Sequence, residues 1–178
     1  SPKNDKVVVN IRSADNKDRW IAELLLDSGK LVTLDHQQDD AWIAGPGIGW
    51  SISSGTLGWF NDNKTIFFQS EESGFSHLYT LNLETGKKKA LTSGNFEIYE
   101  PVLSNNKEFF YFTSNESDAG QHHFYKMSLK GGKREKLTSE AGNNEVSLSS
   151  DEKTMIIRHS FANKPWELYL SKQIGENK

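Results

Sequence analysis

The chain has 178 residues, no cysteine, and 21 basic against 24 acidic side chains for a net charge of −3. The missing cysteines exclude a disulfide framework and thiol-ligated metals, and interspersed, nearly balanced charge provides no field to recruit nucleic acid or an anionic membrane. An apolar share of 35%, with no run of apolar residues long enough to span a bilayer, implies one domain with a modest core and no membrane-spanning helix.

The amino terminus, Ser1-Pro2-Lys3-Asn4-Asp5-Lys6, lacks the basic-then-apolar plan of a secretion signal. Val7 to Ser13, Trp20 to Leu26 and Leu31 to Leu34 then read as three short strands. Asp35 to Leu57 is a long link rich in Gly, Trp and Ser, and connections of that length are functional or conceal a further strand. From Gly58 onward a four-part phrase recurs about every 45 residues.

The phrase opens on a strand and a polar turn: Trp59-Phe60-Asn61-Asp62-Asn63-Lys64, then Leu103-Ser104-Asn105-Asn106-Lys107, then Leu148-Ser149-Ser150-Asp151-Glu152-Lys153. The three lysines fall 43 and 46 residues apart. An apolar strand follows, in Ile66 to Ser70, Phe109 to Ser114 and Met155 to Ser160. The third part contains His77-Leu78-Tyr79, His123-Phe124-Tyr125 or Glu167-Leu168-Tyr169, with tyrosines 46 and 44 residues apart. A glycine turn leads to the fourth, closing on Leu91-Thr92-Ser93 or Leu137-Thr138-Ser139.

This is a four-stranded antiparallel meander of aromatic and β-branched residues joined by tight turns, and no other stretch sustains helical periodicity. The expected fold is all-β, a partial β-propeller of four-stranded antiparallel blades. One partial blade at 7–34 lacks its first strand, complete blades occupy 55–92 and 98–137, and a partial blade at 144–171 lacks its fourth. These three to four blades within 1–178 form an open arc, since a closed ring needs at least four complete ones. Bare edges and faces of such an arc invite self-association of the isolated chain.

The phrase from Gln69-Ser70-Glu71-Glu72-Ser73-Gly74-Phe75-Ser76-His77-Leu78-Tyr79 to Leu91-Thr92-Ser93-Gly94-Asn95-Phe96-Glu97-Ile98 resembles the propeller of the prolyl oligopeptidase superfamily, in its dipeptidyl peptidase IV branch. Tyr111-Phe112-Thr113-Ser114-Asn115-Glu116 and Phe124-Tyr125-Lys126-Met127 continue the likeness, which covers about residues 45–170. The resemblance implies a non-catalytic propeller that caps an α/β-hydrolase domain of a periplasmic or secreted serine peptidase and walls its peptide cleft. The implied partners are that hydrolase domain and a peptide substrate. A TolB-like or WD40-like propeller that binds another protein is the alternative. An enzyme working from the central channel would need convergent acids, His or Arg on inner strands, where Val102, Leu103, Val146 and Leu148 stand instead.

Within the resemblance, the Gly-rich loop from Gly45 to Gly58 corresponds to one that borders the cleft, which makes Trp50, Ser51, Ser53, Ser54 and Trp59 the candidate cleft residues. Gly49-Trp50-Ser51 resembles the start of a nucleophile turn, but Ser53 stands where that strained elbow needs glycine, so no catalytic residue is assigned. Glu71 and Glu72 recur as Glu116 one blade on, which favours a turn role over a binding pair. His77 and His123 are repeat equivalents, and adjacent His122 and His123 point to opposite faces of a strand, so packing explains them and neither metal nor cofactor is implied. Lys87-Lys88-Lys89 reads as a solvated edge. Trp42, Trp50, Trp59 and Phe60 read as rings filling space between sheets.

Overall fold

The computed structural model describes residues 1–49 and 54–172, and within them the chain is all β, without a helix. It divides into two compact units, Ser1–Ser93 and Gly94–Lys178.

The first unit holds two antiparallel sheets. One has the order β1-β2-β3, built from β1 (Val7–Arg12), β2 (Asp18–Leu24) and β3 (Leu31–Gln38). The other has the order β4-β5-β6-β7, built from β4 (Leu57–Trp59), β5 (Thr65–Ser70), β6 (His77–Asn82) and β7 (Lys88–Ala90). Strand alternation sends Ile66 and Phe68 to one face of β5, where they join Ile21, Tyr79 and Leu81 in a buried cluster. Full burial of rings and branched chains of this size contributes about 1.5–3 kcal/mol apiece.

The segment ahead of β1 is tied to the β4–β5 turn. The backbone N–H of Lys3 donates to Asn63 Oδ1 at 3.2 Å, and Asn63 Nδ2 donates to Asp5 Oδ1 at 3.0 Å. These bonds hold the start of β1 beside the turn from which β5 departs. Strand β3 runs four residues past the expected Leu34, because a bulge at Ile21/Ala22 lets Asp35 to Gln38 pair with Ile21 to Asp18. Trp20 stacks on His36 there, with ring centroids 5.1 Å apart. His36 Nε2 donates to Asp18 at 2.7 Å. The polar Asp-His-Gln-Gln run is held in the strand by those contacts rather than by apolar alternation.

The second unit holds β8 (Ile98–Leu103), β9 (Phe109–Ser114), β10 (His123–Ser128) and β11 (Arg134–Lys136) in one sheet, ordered β11-β10-β9-β8. A three-stranded sheet follows, ordered β12-β13-β14, from β12 (Asn143–Leu148), β13 (Met155–Phe161) and β14 (Lys164–Ser171). Met155 packs with Tyr111 and Phe124, bordered by Leu137, Val146, Leu148 and Ile157. The opposite face of the last sheet is bare: Ile156, Leu168 and Leu170 are about half exposed or more.

Register confirms the tyrosine repeat. Tyr79 pairs with Phe68, Tyr125 with Phe112 and Tyr169 with Ile157. The lysine repeat is offset by one place: the left-handed residue of each turn is Asn63 (φ 58°), Lys107 (φ 57°) and Glu152 (φ 57°), so Lys107 matches Asn63 rather than Lys64. Turn geometry, set by positive φ at the third position, fixes the equivalence, and the residue type there varies.

The histidine repeat is a hydrogen-bonded clasp. The Thr92 hydroxyl accepts from the Leu78 N–H and faces His77 Nδ1 at 3.0 Å, and Thr138 does the same for Phe124 and His123 Nδ1 at 3.0 and 3.2 Å. Each hydroxyl accepts from the backbone and shares a hydrogen bond with the imidazole, so the Leu-Thr ending ties the end of the blade to the start of its third strand.

Candidate functional site

The long link of the first unit is built onto a buried arginine. Arg19 stands on the inward face of β2 with 1% of its surface exposed. Its Nε donates to Asn10 Oδ1 at 2.9 Å and Nη1 to the carbonyl of Gln69, while Nη2 has no hydrogen-bond partner among the described residues. Burial lowers its pKa from the ordinary arginine value to about 10, with Asp35 and Glu71 opposing the shift. The guanidinium remains charged at neutral pH.

Around this arginine a polar network holds residues 43–46 and 54–56. Asn10 Nδ2 donates to the carbonyl of Ser54 at 2.8 Å, Arg12 Nη2 to that of Ile43 at 2.9 Å, and the Ser76 hydroxyl to that of Pro46 at 2.6 Å. Gln69 Nε2 donates to Ser76 Oγ at 3.1 Å, and its Oε1 accepts from Thr56 at 2.7 Å. Glu71 accepts the Ala44 N–H at 3.2 Å. Two glycines let the backbone close on itself: Gly47 (φ 69°) lies where a Cβ would strike the Gln69 amide, and one at Gly55 (φ 73°) would strike the Ile48 carbonyl.

Beside the anchored loop lies a polar groove of about 510 Å³, lined by residues 36–39, Trp42, Ile43, Glu71, Glu72 and Gly74. Trp42 is 62% exposed on its rim. That ring was expected to fill space between sheets and instead faces solvent, because Asp39 Oδ1 holds the turn leading to it through the N–H groups of Ala41 and Trp42.

Of the five residues expected to border a cleft, Trp50, Ser51 and Ser53 lie outside the described residues. Ser54 is exposed and its carbonyl is bound by Asn10. Trp59 is half-buried in β4 against the Ile21, Phe68 and Tyr79 cluster. Glu71 and Glu72 have separate structural tasks, one clamping the loop and the other pairing with Lys88. Lys88, the middle of the lysine run, also meets Asp35 at 2.6 Å, so it bridges β7 to β3.

The profile of the dipeptidyl peptidase IV (DPP IV) N-terminal region matches residues 1–166. The chain belongs to this family. Crystal structures share the fold: Porphyromonas gingivalis dipeptidyl peptidase 4 superposes with a TM-score of 0.72 at 17% identity, over 94% of this chain and 23% of that one. TolB from Acinetobacter baumannii gives 0.58 at 19% identity, over 96% of this chain and 39% of that one. The chain thus spans less than half the length of either. No curated protein sequence matches it. With these neighbours the four open sheets are the blades of a partial β-propeller of the DPP IV N-terminal type.

Proposed function

We propose that the chain is the non-catalytic propeller portion of a DPP IV-like serine peptidase, walling and gating the peptide cleft of a hydrolase domain that lies outside it. The family match carries this reading, and the arginine-anchored loop supports it, since a cleft wall must hold its shape while a peptide is positioned against it. The partners are that hydrolase domain and the peptide, and the parent protein works in the periplasm or outside the cell. The isolated chain hydrolyses nothing and associates with a second copy through the bare face of β13 and β14.

The test replaces Ser54 by tryptophan in the full-length protein. Ser54 is exposed and joins the network through its backbone carbonyl, which the substitution keeps, so the larger ring narrows the cleft without removing that hydrogen bond. A changed preference between dipeptide and longer peptide substrates is expected, and unchanged preference would remove the loop from the cleft. The TolB likeness suits a protein-binding module equally in fold, but a DPP IV profile over 1–166 favours the peptidase.

A further inference from the structure

The second unit contains a cleft of about 590 Å³ between the face of β8–β10 and the first strand of the next sheet, β12. Its volume falls in the range of small-ligand sites. One wall carries Tyr99, Val102 and Phe124, and the other Val146 and Leu148. This cleft stands on residues of the second unit alone and requires nothing of the loop described above.

Among its lining residues are Glu100, His122 and Asn143, and β8 breaks register between Tyr99 and Val102. Glu100 sits in that bulge with φ 48°, a left-handed conformation unusual for a glutamate. It lines the cleft and forms no ion pair or hydrogen bond with any described residue. Tyr99 and His122 form a tilted ring pair with centroids 4.7 Å apart. His122 Nδ1 donates to Asn143 Oδ1 at 3.2 Å, which leaves Nε2 of the neutral ring as an acceptor. Asn143 and His122 are themselves fixed by a parallel bridge, reinforced by the Asn144 side chain on the His122 carbonyl at 2.8 Å. Glu145, although on the rim, is already neutralised by Arg158.

The arrangement joins an apolar trough to an end that offers one carboxylate, one imidazole lone pair and the aromatic ring of Tyr99. An anion would meet Glu100, and a purely apolar ligand would strip water from Glu100 and His122 without replacing it. A side chain with an aliphatic stem and a planar, donor-rich cation satisfies both halves. We propose that this cleft binds an arginine side chain of a peptide, with the stem along Val102, Val146 and Leu148 and the guanidinium between Glu100 and the Tyr99–His122 pair. Bulges that re-aim a side chain commonly sit beside binding sites, and here the bulge places the carboxylate.

The experiment titrates the isotope-labelled full chain at pH 8 with N-acetyl-arginine amide and follows the amide resonances of Glu100, His122 and Asn143. Saturable shifts are expected, weakened about tenfold or more for the isosteric uncharged N-acetyl-citrulline amide and for Glu100→Gln, as loss of a charge-assisted hydrogen bond demands. Glu100→Gly, which suits the left-handed backbone and so keeps the fold, should lose binding to the same extent. Equal shifts from the citrulline or lysine amides, unchanged affinity in either variant, or no saturation by the arginine amide would each overturn the proposal.

Discussion

The two complete blades, β4–β7 and β8–β11, carry the same fittings and differ in what surrounds them. Both have the Tyr-on-Phe stack, at 6.1 Å for Phe68–Tyr79 and 5.9 Å for Phe112–Tyr125. Both have the His–Thr clasp and a basic residue of the fourth strand paired with a glutamate of the second turn, Lys88 with Glu72 and Arg134 with Glu116. Both hold the incoming link by the residue after the strand serine: Glu71 accepts from Ala44, and Asn115 accepts from Glu97 at 2.7 Å. What recurs builds the blade. What does not recur, Arg19 beneath the long link of the first unit and Glu100 in the bulge of the second, marks the places where function is proposed.

Breaking the unshared feature of the first unit should have the largest effect. Arg19→Ala leaves Asn10 and the Gln69 carbonyl without a donor and opens a cavity, which should cost about 3–5 kcal/mol. Hydrogen exchange should register the loss in residues 1–93 before 94–172. Equal loosening of both units would mean that the arginine is not a local anchor.

Acidification tests the other unit. Burial, with the charge of Lys136 next, pushes the pKa of His123 below its usual 6.5, so the folded protein binds that proton less readily than the unfolded chain. Stability of the second unit is therefore full above about pH 6.5 and declines as pH falls toward the depressed folded value. His123→Gln should flatten the dependence in urea unfolding at pH 7 against pH 5. An unchanged slope would assign it to other groups.

Smaller effects separate the shared fittings. Arg134→Ala should cost about 1 kcal/mol, the scale of a partly exposed ion pair, and Lys88→Ala somewhat more, since Lys88 also serves Asp35. Leu168→Lys should suppress concentration-dependent association in sedimentation if the bare sheet face is the contact. Lys107→Gly, relieving a left-handed lysine, should raise stability by about 0.5–1 kcal/mol in thermal unfolding.

The blades were legible because their signals are local and repeated: tyrosines at fixed intervals, glycine turns and the Leu-Thr ending each report a pairing that the chain itself enforces. Arg19 was not, although its place on an inward position of β2, two before Ile21, was a signal that a strand-face reading could have used. The end of β3 was obscured by a bulge, which a two-residue period cannot anticipate. Glu100 was hidden for the same reason, as a bulge is visible only in register. The glutamate pair yielded half its meaning to repetition, since Glu116 matches Glu72 and leaves Glu71 to be explained by the backbone it clamps.

Asn63 gives the amino-terminal segment a purpose that its exposure conceals. The asparagine is 6% exposed, left-handed, and bonded on both sides of its amide to residues 3 and 5. A protease that clipped the chain ahead of Val7 would not merely shorten a tail: it would strip a buried amide of its ligands and unbolt the turn from which β5 departs.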